Sequence, residues 1–297
     1  MNKTKLFAVV ATLVATNAIA QTDTYNVEAA IQYSKSSVDD QTTTKGTLGL
    51  VNYYFKPILN DSKQPFLEKD FLQKASSVGI IYGNLSTETS VLASATPTPL
   101  GLNGTYYAND FVFGVSNISW DKTFLLKSNS ARSYGIKSND TSIKVGYYVT
   151  PTTLASFTNE QTTASYTAGG GASAISDLKY TNNAISTHTV TPLNGTEFVV
   201  LDLKYNQIKR DQTTSQNNTE ISGNIRYYPE AKYYVEGGYI TNSGDYDYYK
   251  GSTLSVGAGY SFTPQFALFL STSKFSGSVS SQNSSSTSST ITAGYRF

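Results

Sequence analysis

The chain has 297 residues, with 22 basic against 21 acidic side chains, one histidine and no cysteine. So even a balance offers no electrostatic footprint for nucleic acid or for an anionic membrane surface, and the composition excludes disulfides, thiolate sites and histidine-rich metal sites. With 23 Tyr, 14 Phe, only 8 Pro and abundant Ser, Thr, Asn and Gly, it favours strands and turns over helices.

The first segment is MNKTKLFAVVATLVATNAIA. A basic start (Lys3, Lys5), a short apolar run from Leu6 and a small-x-small ending at Ala18-Ile19-Ala20 form the pattern of a secretory signal peptide, residues 1–20. The run falls short of the roughly 20 apolar residues a spanning helix needs. Cleavage there would start the mature chain at Gln21, and 21–297 would form one domain.

From Tyr25 onward the dominant period is two. In YNVEAAIQYS, Tyr25, Val27, Ala29, Ile31 and Tyr33 share one face, and Asn26, Glu28, Ala30, Gln32 and Ser34 the other. Candidate strands of about 9–13 residues follow at 44–55, 77–88, 105–117, 123–133, 140–149, 152–160, 184–192, 196–208, 219–228, 232–242, 249–261, 265–275 and 288–297. That makes about fourteen, with 12 or 16 as the alternatives; 158–185 has little pattern and reads as a long loop. Short connections such as VTPTT, PLNGTE, YPEAK and FTPQ alternate with longer polar ones. Strands of spanning length, short turns at one end and long loops at the other predict an all-β fold. Specifically, they predict a transmembrane antiparallel up-and-down β-barrel of the outer membrane, with the short turns periplasmic. Tyr and Phe near strand ends, Tyr25 and Tyr33 among them, read as interfacial girdles, and Trp120, in an apparent SWDKT turn, as part of the periplasmic belt.

One segment breaks the period. KPILNDSKQPFLEKDFLQKASSV places Leu67 and Phe71 four apart, with Pro65 at a helix start and Glu68 in the first turn. A short periplasmic helical segment is expected within 56–77. It would either pack inside the barrel mouth or lie on the membrane interface.

If apolar residues face lipid, alternation assigns Glu28, Asp110, Lys144, Asp202, Lys204, Arg226, Glu236 and Arg296 to the lumen. A Lys or Arg on the lipid face would cost roughly 2–4 kcal/mol at mid-membrane. Four are acidic and four basic, which gives no ion preference. His188 has no acidic neighbour in sequence and reads as incidental, so no catalytic site, cofactor site or metal site is expected. The Ser-rich stretch 276–289 and the 158–185 loop leave room for a surface adhesin or receptor barrel as the alternative function, with a barrel enzyme further off.

The stretches NYYFKP, PFLEKDFLQKASSV, GYSFTPQFALFLSTSKF and the closing ITAGYRF resemble the outer-membrane porin family of the Moraxella–Acinetobacter group. The resemblance implies a fourteen-stranded barrel in the cell outer membrane, acting as a passive diffusion channel for small hydrophilic solutes or ions, with no catalytic residues. ITAGYRF also resembles the C-terminal signal read by barrel assembly machinery, carried by Tyr295 and Phe297. The match departs at Thr292, where that signal usually has Gly. Implied partners are the lipid bilayer, the assembly machinery and periplasmic chaperones, and small hydrophilic solutes.

Overall fold

The computed structural model describes residues 24–38, 42–89, 92–93, 98–126, 129–168, 176–211, 216–244, 250–279 and 282–297. The expected signal peptide lies outside them. Fourteen long strands run in chain order: β1 (Thr24–Val38), β2 (Thr42–Leu59), β3 (Ser77–Thr89), β4 (Leu100–Ala108), β5 (Phe111–Leu126), β6 (Asn129–Thr150), β7 (Thr153–Ala168), β8 (Ser176–Pro192), β9 (Phe198–Asp211), β10 (Gln216–Glu230), β11 (Tyr233–Gly244), β12 (Lys250–Ser261), β13 (Phe266–Val279) and β14 (Gln282–Arg296). A two-residue strand, Leu92–Ala93, pairs with Leu126 and Leu125.

Each long strand pairs antiparallel with its sequence neighbours, and β1 pairs with β14 to close the sheet on itself. The seam register is Glu28 opposite Arg296 and Tyr33 opposite Ile291. Closure matters because an unpaired backbone group in hydrocarbon costs several kcal/mol, and a closed ring has no unpaired edge.

Alternation sorts the two faces. Ile143, Val145, Tyr147 and Val149 on β6, and Leu201, Leu203 and Tyr205 on β9, point outward and stay exposed; Ile143 is 58% exposed and Leu203 49%. Val51, Ile80, Leu102, Val256 and Ile291 continue the same exterior on other strands. An apolar surface of this extent in water would be an aggregation liability, and in hydrocarbon it is the expected solvent-facing surface. The inner face carries buried or half-buried Ser138, Ser156, Asn206 and Arg296.

The observed strands differ from the expected ones in three places. Candidates 105–117 and 123–133 straddle real boundaries: β4 turns into β5 at Asn109-Asp110, where Asn109 takes φ 55°. Asn tolerates this left-handed conformation, so a tight turn forms inside a run that reads as continuous strand. Trp120 consequently lies within β5, opposite Ser138, and not in a turn. The expected 158–185 loop is largely ladder, with β7 and β8 paired from Thr153–Thr189 to Tyr166–Ser176. Strands above the lipid need no apolar outer face, so the period fades there while the hydrogen bonds continue.

Tyr25 is the third difference. A bulge between Tyr25 and Val27 shifts the β1–β2 register, and both Asn26 N–H and Val27 N–H donate to the Phe297 carbonyl. The extra residue turns Tyr25 inward, where it is 2% exposed and stacks edge-on against Tyr54. It is not a girdle residue.

Gly259 shows how the interior accommodates rings. It sits between Tyr234 and Phe269, opposite both on the neighbouring strands, and a Cβ there would collide with both rings. Its bare backbone lets the two rings stack across it, with centroids 6.1 Å apart.

Candidate functional site

The segment between β2 and β3 enters the barrel. Pro65 precedes one 3-10 turn, Phe66–Glu68, which runs into an α-helical turn, Lys69–Leu72; together they form α1. The C-terminus closes in a Schellman motif: Ala75 N–H donates to Asp70 O, Lys74 N–H to Phe71 O, and Lys74 takes φ 48°. Two staples fix its depth. The Gln73 side chain accepts from Leu59 N–H and donates to Leu59 O, and Phe66 N–H donates to Ala231 O in the β10–β11 turn.

Apolar contacts then seat α1 on the inner wall. Phe71 stacks on Tyr148 at 5.2 Å between centroids, and Phe66 packs on Phe269. Around them lies a buried cluster of Val112, Leu154, Val190, Val200, Tyr228 and Tyr234. These residues come from β5 to β11, so α1 crosses toward the far wall and does not hug its own hairpin. Of the two placements left open by the sequence, the structure has the segment inside the mouth.

Ion pairs complete the seat. Glu68, 3% exposed, is held from two sides. Its Oε1 lies 2.6 Å from Arg226 Nη1 and its Oε2 3.0 Å from His188 Nε2. His188 Nδ1 lies 2.6 Å from Asp202 Oδ1, and Arg226 Nε 3.2 Å from Glu236 Oε2. Arg296 donates through Nη2 to the Phe66 carbonyl at 2.7 Å, lies 3.7 Å from the Phe66 ring centroid, and meets Glu28 at 3.4 Å. Buried charges need such multiple partners, because desolvation costs several kcal/mol per ion.

Burial acts on two groups of α1 itself. It lowers Lys69 to about 8, helped by the Arg296 charge, and Lys69 donates to Asn60 Oδ1. It raises the Asp70 carboxyl from 3.8 to about 6, with Glu28 adding to the effect. The folded protein thus holds the Asp70 proton more tightly than the unfolded chain does. The penalty is absent below pH 3.8, grows as pH rises, and is complete above about 6. Asp70→Asn should therefore raise the thermal transition near pH 8 and leave it unchanged near pH 3.5. A lowered transition at the higher pH would show that the carboxylate is instead favourably held.

Two cavities flank α1. One of about 600 Å³ lies toward the loop end, lined by Leu67, Glu68 and Phe71 below and by Lys144, Asp202 and Lys204 on the wall. One of about 430 Å³ opens at the turn end, against Phe66, Lys69 and the turns at Glu230–Lys232 and Phe262–Pro264.

Of the residues assigned to the lumen, Glu28, Lys144, Asp202, Lys204, Arg226, Glu236 and Arg296 lie on the inner face. Asp110 does not belong with them. It sits in the β4–β5 turn at the barrel end, its side chain 56% exposed, and pairs with Lys74 at 2.8 Å. The misplaced strand boundary explains the difference. His188 and Glu68 are the residues sequence reasoning missed. His188 is not incidental: counting back from the PLNGTE turn puts it opposite Asp202. The contact with Glu68 had no sequence signal. Both imidazole nitrogens face carboxylates, which is a bridging geometry and not a nucleophile–base pair.

No protein-family model matches the sequence, and neither does any curated protein. Among solved structures, the fold is similar to the outer membrane protein Omp33 of Acinetobacter baumannii, at TM-score 0.55 and 15% identity over 93% of this chain and 100% of that one. It is also similar to the CymD monoaromatic hydrocarbon channel (TM-score 0.58, 10% identity, 92% and 89% covered). A third is the Pseudomonas putida toluene transporter TodX (0.51, 13%, 95% and 91%). The chain has the closed fourteen-stranded fold of outer-membrane β-barrels, including one from Acinetobacter.

Proposed function

We propose that the protein is an outer-membrane channel for passive diffusion of small hydrophilic solutes or ions, closed in this conformation by α1. The observation that carries the reading is the contrast between faces: an apolar exterior around a charged, hydroxyl-rich interior, with cavities on both sides of α1. Glu28, Lys144, Asp202, Lys204, Arg226, Glu236 and Arg296 are then pore-lining, and the turn end faces the periplasm as in other such barrels. Export through a cleaved signal peptide supplies the route. One of the similar structures is named as a monoaromatic hydrocarbon channel and another as a toluene transporter. The ammonium groups and serines around the larger cavity favour hydrophilic cargo here. The bridging geometry at His188 fits a structural role, so we read the protein as a non-enzyme.

Planar-bilayer recording tests this reading. Stepwise ohmic openings are expected; silence at high protein would favour an adhesin or receptor barrel. Assembly offers a second test. Tyr295 and Phe297 pack ring to ring at 4.7 Å beside the β1–β14 seam, and we assign them the signal read by barrel assembly machinery. Phe297→Ser should leave most of the protein outside the membrane as a chaperone-bound or degraded form. Normal membrane levels of heat-modifiable barrel would remove that role.

A further inference from the structure

The lumen charges can be sorted by partner. Arg296 pairs with Glu28; Arg226 joins Glu68 and Glu236; His188 joins Asp202 and Glu68. Lys144 and Lys204 are left: among the described residues, neither has a carboxylate within ion-pair distance. Both line the larger cavity. Between them the sheet runs β6, β7, β8, β9, so their backbones are three strand spacings apart, about 14 Å across the strands, and offset by two residues along them, since the row from Lys144 reaches β9 at Asn206. The gap is floored by serines: Ser156 faces Ser186 at 2.8 Å between hydroxyl oxygens, and Ser186 lies opposite Lys204. Two hydroxyls bonded to one another still leave one free proton donor. Two ammoniums at the ends and a donor in the middle match a molecule with a negative charge at each end.

We propose that Lys144 and Lys204 form a binding site for small dicarboxylates in the lumen, on the loop side of α1. Each lysine supplies a charge-assisted hydrogen bond to one carboxylate, and low-dielectric barrel walls strengthen both. Asp202, on the same face as Lys204 and within electrostatic reach of Lys144, is already engaged by His188. Nearer the loop end Glu160 accepts from Asn182. Glu220, one rung beyond Ser222, makes no ion pair with Lys204 among the described residues. In transport terms the site gives the proposed channel an anion preference, which the even count of acidic and basic lumen residues concealed. That consequence rests on the channel reading; the binding itself does not.

The test is calorimetric titration of succinate into the detergent-purified full chain at low salt. Acetate and the dication putrescine serve as comparisons. Saturable succinate binding is expected, weakened roughly tenfold by Lys144→Gln or Lys204→Gln and lost in the double variant. Lys204→Arg should retain it, and unchanged thermal transitions certify folding. Acetate should bind more weakly and putrescine not at all. No saturable succinate binding by folded wild type, an undiminished double variant, or acetate binding as tightly as succinate would each overturn the proposal. In bilayers under a salt gradient, the double variant should shift the reversal potential toward cation preference. An unshifted potential would overturn the selectivity consequence. Succinate binding without any conductance would leave the site standing and remove the channel reading.

Discussion

Removing residues 60–74, with Leu59 and Ala75 joined by a short Gly-Ser linker, should raise single-channel conductance several-fold. The deletion takes out α1 and the Gln73 staple but keeps Ile58 and Ala75, which pack with Tyr25 and Tyr54 at the barrel end. It also keeps the β2–β3 ladder, which ends at Tyr54–Ser77. The barrel should therefore still assemble, since ring closure depends on β1 with β14 and not on α1. What disappears is the partition between the two cavities. Conductance measured with heat-modifiability as the assembly control checks this. An assembled deletion variant with wild-type conductance would mean that α1 does not occlude the path.

Arg226→Met should loosen α1 without removing it. Arg226 holds Glu68 and Glu236 together and lies over the Tyr234 ring. Without the guanidinium, Glu68 keeps only His188 in a site where it is 3% exposed. Removing one partner of a buried pair costs about 3–5 kcal/mol, whereas replacing both partners with apolar groups of similar volume is often neutral. Arg226→Met is thus expected to give frequent brief openings in bilayer traces. Glu68→Leu combined with Arg226→Met should return the channel to long closures. If the double variant opens as often as the single, the pair does more than balance charge, and the packing of Phe66 and Phe71 is not sufficient to hold α1.

Much of the barrel was legible because lipid imposes a strict period. Ile143, Val145, Tyr147 and Val149 alternate with Ser142, Lys144, Gly146 and Tyr148, and both the strand and its orientation follow from that. Where lipid ends, the rule lapses, which is why the ladder through Thr158–Ala168 reads as loop. Turns built on Asn109 rather than on Gly or Pro were equally hidden. Tyr25 was misassigned because a bulge, at which Asn26 and Val27 both donate to the Phe297 carbonyl, reverses the face of the residues before it, and nothing in YNV announces a bulge.

The interior was harder to read for a different reason. Alternation says that Arg226 points inward, but not that it meets Glu68, 158 residues away. Cross-strand partners such as His188 with Asp202 follow from counting around a known turn. Contacts between the wall and an inserted segment depend on where that segment lies in three dimensions, and periodicity carries no information about it. The same limit applies to Lys144 and Lys204. As bare lumen charges they balance acidic residues in a count. Only the partners found for Glu28, Glu68, Asp202 and Glu236 leave them over.

The absence of cysteine permits a direct test of the occluded lumen. Ser255 lines the larger cavity, on the loop side of α1. Ser255→Cys, reconstituted in vesicles of known orientation, should react with a small membrane-impermeant charged thiol reagent added from the loop side and stay unreactive from the turn side. In the background of the 60–74 deletion, it should react from both. Reaction from both sides in the intact chain, or from neither side in either background, would contradict a water-filled lumen closed by α1.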